Sequence, residues 1–376
     1  MEILELSWLA WVVTSVVTCW LLPGRWRPWG IAAFALAFLA VTDPPSALIL
    51  ATMAAITWWA GARDDRRHPG IAAAVVLLLG VLAVFKAAAS QAGGFAMPLG
   101  MSYYTFRCVH YALERFKKNL PPHTAAEFLA YLFFLPTLIA GPIHRFPEFH
   151  RDLRRTRLDG GLLSEGFERV LYGYAKILVV SGWMIQSQLQ PWIAGLAPSQ
   201  PWLSTYLYML SAGFTGYLTF TGYSDVAIGF ARLTGFRVIE NFNNPFASRN
   251  IIEFWRRWHI SLTSWVRDYL YTTVFSLTRK PYFAALAAML VIGLWHEISS
   301  RYVIWGLAHG LAVACCQWYQ RRNAARADAT TGGRGMLGAV AGWFVTFHFV
   351  MLSFMLVMHD FDRTMDIYRT LLTGGR

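Results

Sequence analysis

The chain has 376 residues, of which 56% are hydrophobic, 16% aromatic and only 14% charged. A water-soluble domain carries about 25% charged residues, so this composition excludes an ordinary soluble enzyme and points to an all-α polytopic membrane protein. The net charge of +12 raises nucleic acid as a partner, but the basic residues sit in short clusters between apolar runs: RDDRR (63–67), RFKK (115–118), RRTR (154–157) and RRNAAR (321–326). That placement argues against nucleic acid and fits membrane lipid beside cytoplasmic loops; a basic cytoplasmic face would also attract an acidic carrier protein.

The first apolar run, LELSWLAWVVTSVVTCWLL (4–22), follows Glu2 and Glu5 rather than a basic segment. No small-residue cleavage pattern follows it, so it is expected to stay as a first helix. Runs at 29–41, 46–62 and 70–88 complete an apolar first quarter with little chemistry in it. Further runs lie at 128–141, 170–185, 206–220, 282–295, 302–318 and 336–358. A full crossing takes roughly 20 mostly apolar residues, and several of these runs are shorter, so the expectation is about 9–11 transmembrane helices plus re-entrant and amphipathic interfacial helices. With no long polar linker and no internal repeat, residues 1–376 read as a single membrane domain whose chemistry-bearing part is 97–310. The loop ATTGGRG (329–335) reads as a hinge before the last helix.

Three stretches are too polar for plain membrane helices. PLGMSYYTFRCVHYALERF (98–116) carries Arg107, His110 and Glu114, and FLPTLIAGPIHRFPEFHRDL (134–153) ends in prolines and histidines. FTGYSDVAIGFARLTGFRVIENFNNPF (220–246) places Asp225 in an apolar setting. Ionisable groups at membrane depth need protein, water or a partner around them. These stretches therefore line a water-accessible interior, or else lie in the interface. Asp225 is expected to cap a helix or to pair with an arginine such as Arg237, because buried charges are normally paired. Asn241, Asn243 and Asn244 read as turn and capping residues. Cys19, Cys108, Cys315 and Cys316 show no metal spacing and read as packing residues.

EFWRRWHISLTSWVRDYLY (253–271) fits one amphipathic helix at about 100° per residue. Trp258 and Trp265 lie on an aromatic arc with His259 toward its edge, and Arg256 and Arg257 on the opposite, basic face. Asn250 is the expected N-cap, with Glu253 three residues on. Two readings stand: a helix lying on the membrane, or one whose histidine faces the interior with a task.

In VIGLWHEIS (291–299) a greasy run ends on His296 and Glu297. Helix neighbours at i and i+1 do not face each other, so Glu297 orients His296 only if the helix breaks there. His309, in WGLAHG, is expected to pack or to hydrogen-bond across helices. No spacing supports a metal site built from His259, His296 and His309.

The series PLGMSYYTFRCVHY, LPTLIAGPIHRF, FTGYSDVAIGFARLTGFRVIENFNNPF, FWRRWHISLTSWVRDYLY, GLWHE and YVIWGLAHG closely resembles the membrane-bound O-acyltransferase (MBOAT) family. The bacterial branch is the nearer one, with its alginate O-acetyltransferase membrane subunits and teichoic acid D-alanyl transfer proteins. The resemblance implies helices ringing a central funnel that thins the membrane, in the inner (cytoplasmic) membrane. It implies that His296 is buried and acts as general base on an acceptor hydroxyl, with His259 as second hallmark. Trp258, Trp295, Asp225, Asn244 and His309 are then binding or supporting residues. Arg256 and Arg257 would hold a donor's phosphates or a phosphopantetheine arm, with lipid headgroups the alternative. It further implies no bound cofactor, acetyl-CoA or an acyl-phosphopantetheine carrier protein as donor, a glycan acceptor, and an acyl carrier protein or a periplasmic transferase as partner. Glu297 departs from the family, which usually has Gly there, and the chain is shorter than the alginate type. Length and SYYTFR lean toward D-alanyl transfer, GYSD and RRWHISL toward acetyl transfer. A transporter or channel for an acyl donor or lipid, and a scaffold for a separate transferase, remain the competing readings.

Overall fold

The computed structural model describes residues 6–61, 70–91, 97–155, 157–327 and 336–375. The RDDRR cluster, the ATTGGRG loop, the acidic residues before the first helix, Thr156 of RRTR and the side chains of 324–326 in RRNAAR lie outside the described residues. Among the described residues every regular element is helical. The chain forms two compact units, residues 1–174 with 223–239 and residues 175–222 with 240–376.

The first unit begins with apolar helices α1 (Leu6–Leu21), α2 (Arg27–Thr42), α3 (Pro44–Gly61) and α4 (Gly70–Gln91). Next come α5 (Met101–Phe116), α6 (Ala125–Leu132), α7 (Phe146–Arg155) and α8 (Gly160–Tyr174). A capping box starts α6: Thr124 accepts from the Glu127 amide while Glu127 accepts from the Thr124 amide. A π-helical stretch, Ala175–Leu189, then leads to α9 (Gln190–Leu196) and to the long α10 (Pro201–Leu233). Residues of α10 up to Gly222 belong to the second unit and those from Tyr223 on to the first.

In the first unit α8 crosses α10 at a pair of glycines. A Cβ on Gly229 would sit 2.6 Å from the Gly166 carbonyl oxygen, so only hydrogen fits between the backbones. The close crossing carries Arg169 to Asp225, Nε to Oδ1 at 2.7 Å. The sequence pointed to Arg237 for this role. Arg237 instead lies beyond the turn at Gly235, and its amide donates to Asp152 Oδ2. Arg107, fully buried, donates to the carbonyls of Tyr131 (3.3 Å) and Thr137 (3.2 Å). His110 Nε2 accepts from the Phe146 amide, and Thr137 Oγ1 bonds to His144 Nδ1. These polar residues hold the irregular chain between α6 and α7.

The second unit continues with α11 (Ile251–Arg257), α12 (Ile260–Val266), a π-helical turn Arg267–Tyr271 and α13 (Thr272–Thr278). It ends with α14 (Pro281–His296), α15 (Ser300–Ala327), α16 (Met336–Met358) and α17 (Phe361–Thr373). The α14/α15 hairpin closes on small residues: a Cβ on Gly293 would sit 2.4 Å from the Tyr302 carbonyl oxygen, and one on Gly306 2.8 Å from that of Met289.

Among the described residues two helices, Gly70–Ser90 and Met336–Met358, are long and apolar enough to cross a membrane; Trp8–Leu21, Arg27–Thr42, Ala125–Thr137 and Pro281–His296 are apolar but shorter. Cys19 and Cys108 are buried packing residues as expected, whereas Cys315 is exposed and Cys316 half-buried.

Candidate active site

Most of the residues singled out in the sequence meet in the second unit, where two local breaks set the geometry. The first is at His259. Asn250 caps α11 by accepting from the Glu253 amide at 2.9 Å, as expected. The Glu253 carboxylate reaches back to the Arg249 amide and also grips Arg257 at 2.6 Å. The expected continuous helix over 253–271 does not form. Trp258 is extended, His259 is left-handed (φ 44°, ψ 52°), and a new helix starts at Ile260. His is among the residues enriched in this conformation. The preceding loop supplies the missing partners: Asn241 O accepts from the Ile260 amide, Asn241 Oδ1 from the Ser261 amide and hydroxyl, and Arg257 O from the Asn243 amide. With those backbone groups satisfied from outside, the helix breaks without leaving polar atoms stranded. A helical wheel therefore ends at residue 257. His259 is 1% exposed and lies edge-on to Phe220 (4.9 Å between centroids) and Trp295 (6.1 Å).

The second break ends α14 at His296, where Glu297 turns extended (φ −158°, ψ 142°). His296 is exposed, not buried as the resemblance implied, because the helix stops beneath it. Its ring stands 4.6 Å from Trp295, stacks on Tyr302 at 5.7 Å and meets the edge of Trp305 at 5.9 Å. The helix end that would free Glu297 to orient His296 is thus present, but the Glu297 carboxylate binds Arg301 at 2.6 Å. Arg301 also donates to the His359 carbonyl at 2.6 Å, tying the α14/α15 turn to the end of α16.

The other candidates take distinct places. His309 joins three helices, accepting from Trp255 Nε1 (3.3 Å) and bonding Ser353 Oγ (2.9 Å), as the sequence led us to expect. Trp258 packs among Phe242, Phe254 and Phe354. Asn244 is exposed in a left-handed turn before Pro245, and its side chain makes no cap bond. Asp225 belongs to the first unit, paired with Arg169. Arg257 is held by Glu253, while Arg256 is exposed on the wall of a cavity of about 510 Å³. That cavity runs along α14 past Ala285, Ala288, Met289 and Ile292, and Arg267 also lines it. His296 lies four residues beyond Ile292 on the same helix face. Among the described residues no group of three or more His, Cys, Asp or Glu is placed to hold a metal.

Tyr302, Trp305, Phe220 and Arg301 escaped the sequence reading, which took Asn241 as a turn and capping residue without its bonds to Ile260 and Ser261. Only Arg301 left a signal there, its i,i+4 spacing from Glu297; the rest depend on where the helices break.

Residues 97–359 match the MBOAT, membrane-bound O-acyltransferase family. The chain is 35% identical over 224 residues to a probable alginate O-acetylase of Pseudomonas aeruginosa, covering 58% of this chain and 42% of that protein. It is 32% identical over 280 residues to a teichoic acid D-alanyltransferase of Streptococcus thermophilus, covering 69% and 67%. A peptidoglycan O-acetyltransferase of Helicobacter pylori is 28% identical over 289 residues, covering 68% and 53%. The chain spans about half the length of the alginate relatives it matches. The family match takes in both helix breaks and extends over well more than half of the chain, and the protein belongs to the membrane-bound O-acyltransferase family.

Proposed function

We propose that the protein is a multi-pass enzyme of the cytoplasmic membrane that moves an acyl group, acetyl or D-alanyl, from a thioester donor to a hydroxyl of a cell-envelope glycan. The observation that carries this reading is the aromatic-lined setting of two imidazoles: His296 exposed at a helix end, and His259 buried, with Trp295 beside both rings. Acyl transfer to an alcohol requires the hydroxyl proton to leave as its oxygen attacks the acyl carbon. An imidazole is suited to take that proton near neutral pH. In this reading His296 is the general base, the carbon–sulfur bond breaks, and the departing thiolate takes up the proton. His259 positions the reacting groups.

The cavity beside Arg256 supports a donor route from the cytoplasmic side. It is apolar along α14, carries a cation at its wall, and follows the helix face that ends at His296. A phosphopantetheine arm on a carrier protein, or acetyl-CoA, has matching chemistry: a phosphate for Arg256 and a slender thioester for the apolar wall. A basic cytoplasmic face would draw an acidic acyl carrier protein, and a periplasmic transferase is a further partner of this kind of enzyme. The relatives named for acetyl and for D-alanyl transfer bracket the acyl group.

The test is His296→Ala, assayed by mass spectrometry of the host's envelope polymers. Loss of glycan acylation from a folded, membrane-inserted variant is expected. Normal acylation by that variant would refute the reading.

A further inference from the structure

A second cavity, of about 560 Å³, opens in the second unit between the end of the π-helical stretch, α9, α10 and α17. In a chain that is 56% hydrophobic its lining is unusual: Gln186, Gln190, Thr205, Tyr208, Arg363 and Asp366 all face it. Arg363, Asp366, Ile367 and Thr370 fall at i, i+3, i+4 and i+7, one face of α17, so the polar lining follows from a single helix orientation. Ser204 anchors the opposite wall, its hydroxyl donating to the Ile193 carbonyl at 2.8 Å. No hydrogen bond among the described residues engages the side chains of Gln190, Thr205 or Arg363, so amide, hydroxyl and guanidinium groups stand ready on three walls.

The cavity is tied to the reaction site. The Tyr208 hydroxyl bonds His359 Nε2 at 3.1 Å, the His359 carbonyl accepts from Arg301, and Arg301 holds Glu297, the residue after His296. The cavity beside Arg256 runs along the middle of α14; this one is linked by hydrogen bonds to Glu297, just past the end of that helix.

The geometry points to this cavity as a subsite for a sugar residue of the acceptor glycan, an assignment that rests on the acyltransfer reading above. Sugar hydroxyls both donate and accept, and they are met by groups of both kinds held at fixed angles. Glutamine and threonine do both, arginine donates and aspartate accepts. The volume suits one or two sugar units. Asp366 is already paired with Arg369 at 3.1 Å, which leaves the Arg363 cation at the wall, so the site takes neutral sugars and also admits uronates. A sugar held there is coupled to the turn that carries His296 through the bonds from Tyr208 to His359, Arg301 and Glu297.

The experiment uses the full-length His296→Ala protein in a membrane-mimetic disc, where no transfer takes place. Saturation-transfer NMR reads binding of two probes, a neutral β-linked hexose hexamer and a uronic acid hexamer. Both are expected to bind. The Gln190→Leu/Arg363→Leu double variant is expected to weaken binding about tenfold, while Arg363→Gln, which keeps donors, stays within about threefold. If the double variant fails to fold, Thr205→Val takes its place, with loss of binding again expected. No binding of either probe, or binding undiminished in the folded variant, overturns the proposal. Acylation by the protein with His296 intact separates the two claims. Sugar binding without acyl transfer leaves the subsite and removes the enzyme. Transfer with an unchanged acceptor KM in the double variant leaves the enzyme and removes the subsite.

Discussion

The two units handle polar residues in different ways. In the first, Arg107, His110 and His144 are buried and turned onto the chain's own irregular segment: Arg107 to the carbonyls of Tyr131 and Thr137, His110 to the Phe146 amide, His144 to the Thr137 hydroxyl. In the second, aromatic rings flank the imidazoles of His259 and His296, and that of His296 opens outward. A charged or imidazole side chain in a greasy sequence is therefore no sign of chemistry by itself. What distinguishes the candidate site is a polar group at a helix break with an outward-facing edge. Buried Arg107 and His110 instead partner backbone groups that would otherwise lack a bond.

The largest expected effects test that contrast directly. Removing a general base lowers turnover by about 10²–10⁴-fold, so His296→Ala should lose nearly all acyl transfer while its melting temperature stays close to that of the parent. Arg107→Leu should do the reverse. It strands two buried carbonyls at roughly 1–3 kcal/mol each, so folded yield and thermal stability fall, but turnover per folded molecule holds. Comparable turnover loss in a folded Arg107→Leu protein would break the comparison.

Next in size are substitutions at the first break. His259→Ala removes the imidazole and also the preference for the left-handed region that His shares with Asn, a loss of up to about 1–2 kcal/mol. Asn tolerates that conformation, so His259→Asn separates the two effects. Both variants should lose turnover, and His259→Ala should melt lower. If His259→Asn keeps full turnover, the histidine serves only the backbone turn. At the second break, Gly293→Leu forces a side chain against the Tyr302 carbonyl. Such overpacking costs about 1–3 kcal/mol, and it should lower stability and turnover together by shifting the ring stacked on His296.

His259, His296 and Trp295 became candidates through the resemblance of the motif series to the family, since a lone histidine in an apolar run is by itself more often structural. The Asn250 cap and the role of His309 as an inter-helix bond were legible in the sequence, since a capping pattern is local and a lone histidine in WGLAHG needs a partner. The break at His259 was not. Local periodicity over 253–271 favours one helix, and what interrupts it is Asn241, eighteen residues upstream, bonding Ile260 and Ser261. The choice of Arg169 over Arg237 for Asp225 was hidden for a similar reason: it depends on two glycines letting α8 approach α10. Periodicity and spacing report on a chain's own neighbourhood, and these contacts are long-range.

Glu297 gives the smallest expected effect and the sharpest test of how far the site extends. It and Arg301 are each partly exposed, with side chains 32% and 25% accessible, so their pairing falls in the range of surface ion pairs, about 0–1 kcal/mol. Glu297→Gln keeps an acceptor for Arg301 and should shift the melting temperature by no more than about 3 °C. The α14/α15 turn is also fixed by the Glu297 amide bond to the Gly293 carbonyl and by Arg301 on the His359 carbonyl, neither of which needs the charge. Turnover should therefore stay within about threefold, with an unchanged pH profile, as for other groups outside the proton-transfer step. A loss of turnover as large as that of His296→Ala, with the pH profile displaced and the melting temperature intact, would show that the carboxylate tunes the imidazole itself. The helix break would then work as a device for bringing acid and base together and not only for exposing the base.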